Sequence, residues 1–244
     1  MENINVLIPA AGKSSRSRLT IPKSLKEVNG IPIIVRLCNQ IVEYDDNPMI
    51  VINPKDEVLF LATFEKYNIK ARIIYQSSAL GMGHAILQAK AHIKDGEQIL
   101  LVWSDIPFLQ KDTVHNLVKK HLEDHNIFSL ASFICKNPYT VVERVSKKVV
   151  RLLETHKNND LVKVDKGERD IGLFIFDKRI VLDLIEAEFE KYDKNSNTEF
   201  GFLSVIESLS AKGYKIEAYP IAHEKDILSF NTPEDFIKIT ETRD

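Results

Sequence analysis

Cysteine is nearly missing from this sequence. Of 244 residues only Cys38 and Cys135 are thiols, which provides neither a disulfide framework nor a zinc-ligand pattern. Long apolar runs are missing as well, so no membrane span is expected, and no signal-peptide pattern is found. A reducing cytoplasm is the expected setting. Nor does charge of one sign dominate: 33 Lys and Arg against 35 Asp and Glu leave a net charge of -2 and a pI near 6.4. That balance argues against a nucleic-acid or membrane-surface partner, so any polyanion must be met locally, by one loop. No low-complexity tract and no repeat of solenoid period occurs.

What remains is an ordinary globular composition, 44% hydrophobic and 28% charged, in a chain long enough to bury a sizeable core as one domain over residues 1–244. Short β-branched runs alternate with helical patterns. INVLIP is followed by a helix over IPIIVRLCNQIVEY, then MIVI, a helix from Lys55 to about Tyr67, ARIIY, a helix from Gly83 to about Ile93, and ILLVW. Such repeats predict a mostly parallel, doubly wound α/β sheet whose ligand lies beyond the carboxyl ends of the strands. Beyond residue 126 come the strands FSLASFIC, KKVVRLLE and IGLFIFD, helices near 178–192 and 199–212, KIEAYPI and a last helix.

Polar loops mark the carboxyl ends of those strands. Residues 4–23 run an apolar strand into a loop of small residues, and Ala10, Ala11, Gly12, Ser14 and Ser15 let backbone N–H groups converge on phosphate oxygens. Lys13, Arg16, Arg18 and Lys23 supply charge that a polyphosphate neutralises. The plainer alternative is a strand-to-helix connection with solvated cations. The loop is neither a G-x-G-x-x-G fingerprint nor a Walker loop. Gln76 and LGMGHA at 80–85 follow the third strand; Gly81 and Gly83 there permit close backbone approach, or else simply form a tight turn that leaves His84 to solvent. ILLVW ends in Ser104-Asp105-Ile106-Pro107, where Asp105 is either a metal ligand facing the cleft or a cap. In SFNTPEDF at 229–236, capping explains Thr232, Pro233 and Asp235 but not Asn231.

Taken in order from residue 4 to about 237, these four segments resemble the nucleotidyltransferases that make nucleoside diphosphate sugars and related activated compounds. The resemblance extends to the N-terminal uridylyltransferase domain of the bifunctional N-acetylglucosamine-1-phosphate enzymes and to CTP-dependent phosphocholine-type cytidylyltransferases. It implies a Rossmann-like three-layer sandwich with a mostly parallel mixed sheet, a nucleotide-binding half over about 1–125 and an acceptor-binding half over about 126–230. Larger members append a left-handed β-helix; without hexapeptide repeats here, transferase activity alone is expected.

The resemblance also implies roles. Lys23 and Arg16 would be catalytic, with Arg16 and the loop N–H groups on the β and γ phosphates and Lys23 between the α-phosphate and the acceptor phosphate. Gln76, Gly81 and Met82 would read the base, Met82 replacing a usual Thr. Asp105 and Asn231 would hold Mg²⁺, which favours few protein oxygens. Glu154, Thr140 and Asp170 would contact the acceptor; Thr140 and Asp170 depart from a family Gly and Asn. The departures point away from a hexosamine, and Glu154 beside Asp170 points to a cationic group on the acceptor. The expected reaction is in-line attack of an acceptor phosphate on a pyrimidine nucleoside triphosphate, CTP ahead of UTP, with release of pyrophosphate. A UTP-dependent sugar-1-phosphate transferase, a nucleotide-binding regulator without turnover and an inverting glycosyltransferase are the alternatives. The last wants a D-x-D motif, which Asp183 in VLDLIE lacks.

Overall fold

The computed structural model describes residues 3–12, 21–155, 164–193, 198–230 and 232–242. The chain opens with β1 (Ile4–Pro9), then a small ribbon of β2 (Glu27–Val28) and β3 (Ile31–Pro32) that leads into α1 (Ile33–Ile41). There follow β4 (Met49–Ile52), α2 (Glu57–Lys66), β5 (Arg72–Tyr75), α3 (Met82–Leu87), β6 (Gln98–Val102) and α4 (Lys111–Glu123). The second half contains β7 (Phe128–Lys136), a hairpin of β8 (Thr140–Val145) and β9 (Lys148–Glu154), β10 (Lys166–Asp177), α5 (Lys178–Glu190), α6 (Ser204–Ala211), β11 (Ile216–Tyr219) and α7 (Pro233–Glu241).

Seven strands form one sheet in the order β11-β7-β10-β6-β1-β4-β5. β1 pairs in parallel with both β4 and β6, β4 with β5, and β11 with β7, whereas β10 runs antiparallel to β6 and β7. The chain therefore winds outward from β1 through β4 to β5, then returns to lay β6 on the other side of β1. That reversal is a topological switch point, and it opens a crevice between the carboxyl ends of β1 and β6.

Strands covered on both faces are apolar almost throughout, and in β1, β4 and β6 the only polar positions are Asn5 and Gln98, both near the amino ends and both hydrogen-bonded. Val6 and Ile8 of β1, Ile50 and Ile52 of β4, and Leu100 and Val102 of β6 pack with Ile33, Leu37, Phe60, Phe64, Val114 and Leu117 on the face covered by α1, α2 and α4. Leu7, Met49, Val51, Ile99 and Leu101 turn the other way, onto Ala85, Ile86, Val181, Ile185, Ile206 and Leu209 from α3, α5 and α6. The result is the expected three-layer sandwich around a mostly parallel mixed sheet. No helix among the described residues is long and apolar enough to cross a membrane. Both thiols are free, and burial pushes the Cys38 thiol up to about 12.

Three helices differ most from their sequence reading, and one of them, α3, ends at Leu87 rather than about Ile93, with a separate 3-10 turn at Lys90–His92. α1 starts at Ile33 rather than Ile31, because Ile31 and Pro32 pair with Val28 and Glu27 in the ribbon. α6 starts at Ser204 rather than 199: Phe200 donates its N–H to Leu80 (2.8 Å) and accepts one from Gly83 (3.1 Å), which ties residues 199–203 across the start of α3. The last helix carries its cap as read, with Thr232 accepting from the Asp235 N–H and Asp235 accepting from the Thr232 N–H.

Candidate active site

A cleft of about 320 Å³ occupies the switch point. Its floor is the end of β1 with Ala10, Ala11 and Gly12; its walls are Lys23 and Ser24, Gln76 with Gly81 and Met82, Trp103 through Ile106, and the segment Glu199–Leu203. Glu154, Tyr139 and Arg169 close the end nearer the second half of the chain. Residues drawn from strands far apart in sequence thus meet in one place.

The loop after β1 is tighter than the sequence suggests. Ala10 donates its N–H to Val51 (2.7 Å), prolonging the β1–β4 ladder, so that N–H cannot serve a phosphate as expected. Lys13, Ser14, Ser15 and Arg16 lie outside the described residues, as does Asn231. Lys23 sits in a one-turn 3-10 helix directly after Pro22, and its Nζ donates to the Phe230 carbonyl at 3.1 Å. Phe230 in turn donates its N–H to the Asp105 carbonyl at 2.8 Å. The residue before Asn231 is therefore stitched to both Lys23 and Asp105, although these lie far apart along the chain.

Gln76 is buried. Its amide donates to the Gly81 carbonyl (3.0 Å) and faces His84 Nδ1 (2.9 Å). His84 stacks on Phe189, with ring centroids 4.9 Å apart, rather than turning to solvent. Gly81 adopts φ +109, and a Cβ there would stand 2.4 Å from the Phe200 carbonyl oxygen; one on Gly83 would stand 2.6 Å from the Phe200 ring. These glycines admit a close approach, but to the protein's own Phe200 segment.

Asp105 carries the most unusual electrostatics. Burial pushes its carboxyl up to about 6, Lys23 and Arg169 pull against that rise, and Asp170 adds to it. Its Oδ1 is buried and finds no partner among the described residues, and the same holds for Ser24 Oγ and Trp103 Nε1. Three orphaned polar atoms in one cleft are unusual, because buried polar groups are nearly always paired. A carboxylate oxygen left without a donor fits a hard cation. Among the described residues there is no cluster of three or more His, Cys, Asp or Glu able to cage a metal alone.

Two acceptor assignments need correction. Thr140 and Asp170 are buried beneath the cleft instead of lining it. Thr140 Oγ1 donates to Asp170 Oδ1 (2.5 Å), and the Gly172 N–H donates to Asp170 Oδ2 (3.0 Å). Both carboxylate oxygens are thus satisfied internally, and the side chain serves the bulge of β10 at Gly172, where φ is +82. Glu154, paired with Thr140 across the β8–β9 ladder, does reach the cleft. The sequence reading missed Glu199, Phe200, Trp103 and Arg169. A glycine at 201 inside a supposed helix was the available signal for the first two.

A mostly parallel sheet with this cleft at its switch point makes the protein a doubly wound α/β protein that binds its ligand beyond the carboxyl ends of the strands. The family model described as "MobA-like NTP transferase domain" matches residues 6–170, and the chain belongs to that family. It is 28% identical over 235 residues to the bifunctional protein GlmU of Acetivibrio thermocellus, with 95% of this chain covered. The chain spans about half the length of the curated relatives it matches, 50% in that case. Among solved structures, a UDP-glucose pyrophosphorylase complexed with UDP-glucose superposes with a TM-score of 0.74 at 17% identity, covering 99% of this chain and 98% of that one. A 4-diphosphocytidyl-2C-methyl-D-erythritol synthase from Anaerococcus prevotii gives 0.65 at 16% identity, covering 98% and 97%. At those identities the likeness is one of fold.

Proposed function

We propose that this protein transfers a nucleoside monophosphate from a pyrimidine triphosphate, CTP ahead of UTP, to a small phosphorylated acceptor and releases pyrophosphate. The observation that carries the reading is the convergence of Lys23, Gln76 and the orphaned oxygen of Asp105 on one cleft at the β1–β6 switch point. Gln76 donates to the Gly81 carbonyl and faces His84, which fixes its side chain, and an amide oxygen held there would accept from a base; the cytosine amino group and the uracil N3–H both donate. In this proposal Asp105 with Asn231 would hold Mg²⁺, which when bound would supply Lewis-acid charge compensation for the triphosphate. Lys23 compensates charge as the acceptor oxygen attacks, and Arg16 holds the outgoing phosphates. A phosphate monoester is already anionic near neutral pH, so positioning and charge carry the catalysis. The proposed setting is the cytoplasm.

An amine on the acceptor would face Glu154 and Glu199, the two glutamates that line the cleft, with Arg169 in the same lining for an anionic group. One observation favours a second reading. The preference for CTP and for a non-sugar acceptor rested on Thr140 and Asp170, and these are engaged with each other beneath the lining. A UTP-dependent sugar-1-phosphate transferase is therefore the competing reading. Pyrophosphate release from each of the four triphosphates, tested against phosphorylated sugars, amino alcohols and amino acids, separates the two. Turnover with CTP and an amine-bearing phosphate supports the first; strict preference for UTP with a hexose 1-phosphate supports the second; nucleoside diphosphate as product overturns both.

A further inference from the structure

We infer that Asp226, outside the cleft, is a positioning residue that sets the approach of the C-terminal segment to Asp105 and Lys23. The inference rests on the proposed reading of the cleft as a Mg²⁺–triphosphate site.

Asp226 is fully buried, and its carboxylate gathers three donors from two directions. Oδ1 accepts the Gln110 N–H, and Oδ2 accepts both the Thr113 hydroxyl and the His223 N–H, each at 2.7 Å. Gln110 and Thr113 belong to the start of α4, where Gln110 is the N-cap and offers no side-chain cap of its own. The aspartate therefore supplies, from another part of the chain, negative charge where the helix dipole favours it. A parallel contact joins His223 Nε2 to Asp112 Oδ2 at 2.8 Å.

The two segments that Asp226 joins are those that build the site. One runs from Asp105 to the start of α4; the other runs from His223 to Phe230. They are bonded at one end by the Asp226 carboxylate and at the other by the Phe230 N–H on the Asp105 carbonyl. Ile227 and Ser229, between those bonds, line the cleft. A loop held at both ends has one register, and here that register places the Phe230 carbonyl on Lys23. Releasing the Asp226 end leaves the Asp105 side chain in place but frees the segment that must meet it.

Asp226→Asn tests this, because the amide keeps the shape while putting donors where donors already converge. Thr113→Val is the milder companion, removing one bond of three at a fully buried position. Mg²⁺ is titrated in the presence of CTP, and separately UTP, with two readouts: pyrophosphate release with the phosphorylated acceptor that supports turnover in the assay above, and, without acceptor, emission of Trp103, the only tryptophan in the chain and part of the cleft wall. Half-saturating Mg²⁺ should rise in both readouts, by about tenfold in Asp226→Asn, the lower end for groups that orient a metal ligand, and by less, about twofold to threefold, in Thr113→Val, where two of the three bonds remain. The KM for triphosphate at saturating Mg²⁺ should stay within about twofold. Variants that melt earlier yet keep the wild-type Mg²⁺ response overturn the inference; should Asp226→Asn not fold, Thr113→Val alone decides. A wild-type protein that shows no Mg²⁺ response with either triphosphate overturns the reading of the cleft, and the role of Asp226 falls with it.

Discussion

The two ends of β6 bury polar side chains in opposite ways. At the amino end Gln98 bonds His121 Nε2 (3.1 Å), His121 Nδ1 meets Ser129 (2.9 Å), and Asn126 bonds both Ser129 (3.0 Å) and Tyr219 (2.7 Å). Of the buried polar atoms in this group, only Asn126 Oδ1 is left without a partner among the described residues. At the carboxyl end Asp105, Trp103 and Ser24 each leave a buried polar atom without a partner among the described residues. An unmet buried polar atom costs about 1 to 3 kcal/mol, so a fold tolerates several together only where something else satisfies them. The amino end is closed by its own hydrogen bonds; the carboxyl end, under the proposed function, is the part that a ligand completes.

The largest expected effect comes from the open end. Lys23→Ala removes the charge poised between Phe230 and Asp105, and kcat for pyrophosphate release should fall at least about a hundredfold, about 3 kcal/mol in the transition state, with a smaller change in KM. Near-normal turnover would remove Lys23 from the mechanism and leave the carboxyl end without its cation.

Asp105→Asn sharpens the contrast through stability. A carboxyl near 6 when folded and near 3.8 when unfolded is favoured as the neutral acid in the native state. As pH rises from about 4 to about 6 the native protein loses about 3 kcal/mol through this group, and the loss persists above pH 6. The asparagine variant should therefore be inactive yet more stable at pH 8, by urea unfolding, while the two proteins converge near pH 4. Equal stability at pH 8 would mean that the buried oxygen is not strained at all.

His121, at the closed end, has the opposite sign. Burial pushes its imidazole from 6.5 down to about 4, so the native state resists protonation. Stability is lost as pH falls below 6.5, by about 2 kcal/mol at pH 5. Unfolding curves of His121→Gln, subtracted from wild type, should show that slope between pH 4 and 6.5, whereas the Asp105→Asn difference slopes the other way across much of the same window. Like slopes would erase the distinction between the two ends.

Sequence carried most of the framework and only part of the site. Strands buried on both faces read as unbroken apolar runs, which is why β1, β4 and β6 are visible at once, and Asp105 could be placed at a strand's carboxyl end from one dimension alone. The cap of α7 is local chemistry and reads locally. Residues 199–203 do not, since their conformation is fixed by hydrogen bonds to Leu80 and Gly83, more than a hundred positions away. Asp170 is invisible for a related reason: whether a carboxylate faces a ligand or a neighbouring hydroxyl depends on how the β8–β9 hairpin packs against β10 in the main sheet, and no spacing encodes that.

The smallest expected effect follows from that last point. Thr140→Val deletes the hydroxyl that satisfies Asp170 Oδ1 and leaves volume and strand propensity nearly unchanged. A hydrogen bond from a buried hydroxyl to a buried carboxylate is worth about 1 to 2 kcal/mol, so the melting temperature should drop by a few degrees while the acceptor KM stays within about twofold. Glu154→Gln, across the ladder but in the cleft wall, should do the reverse, raising the acceptor KM with little change in melting. If both substitutions raised KM alike, Asp170 would belong to the pocket after all, and the two carboxylates would act on the acceptor together. If only Glu154 responds, the layer beneath it is scaffold, and the specificity of the acceptor end has to be sought in Glu199, Arg169 and Trp103.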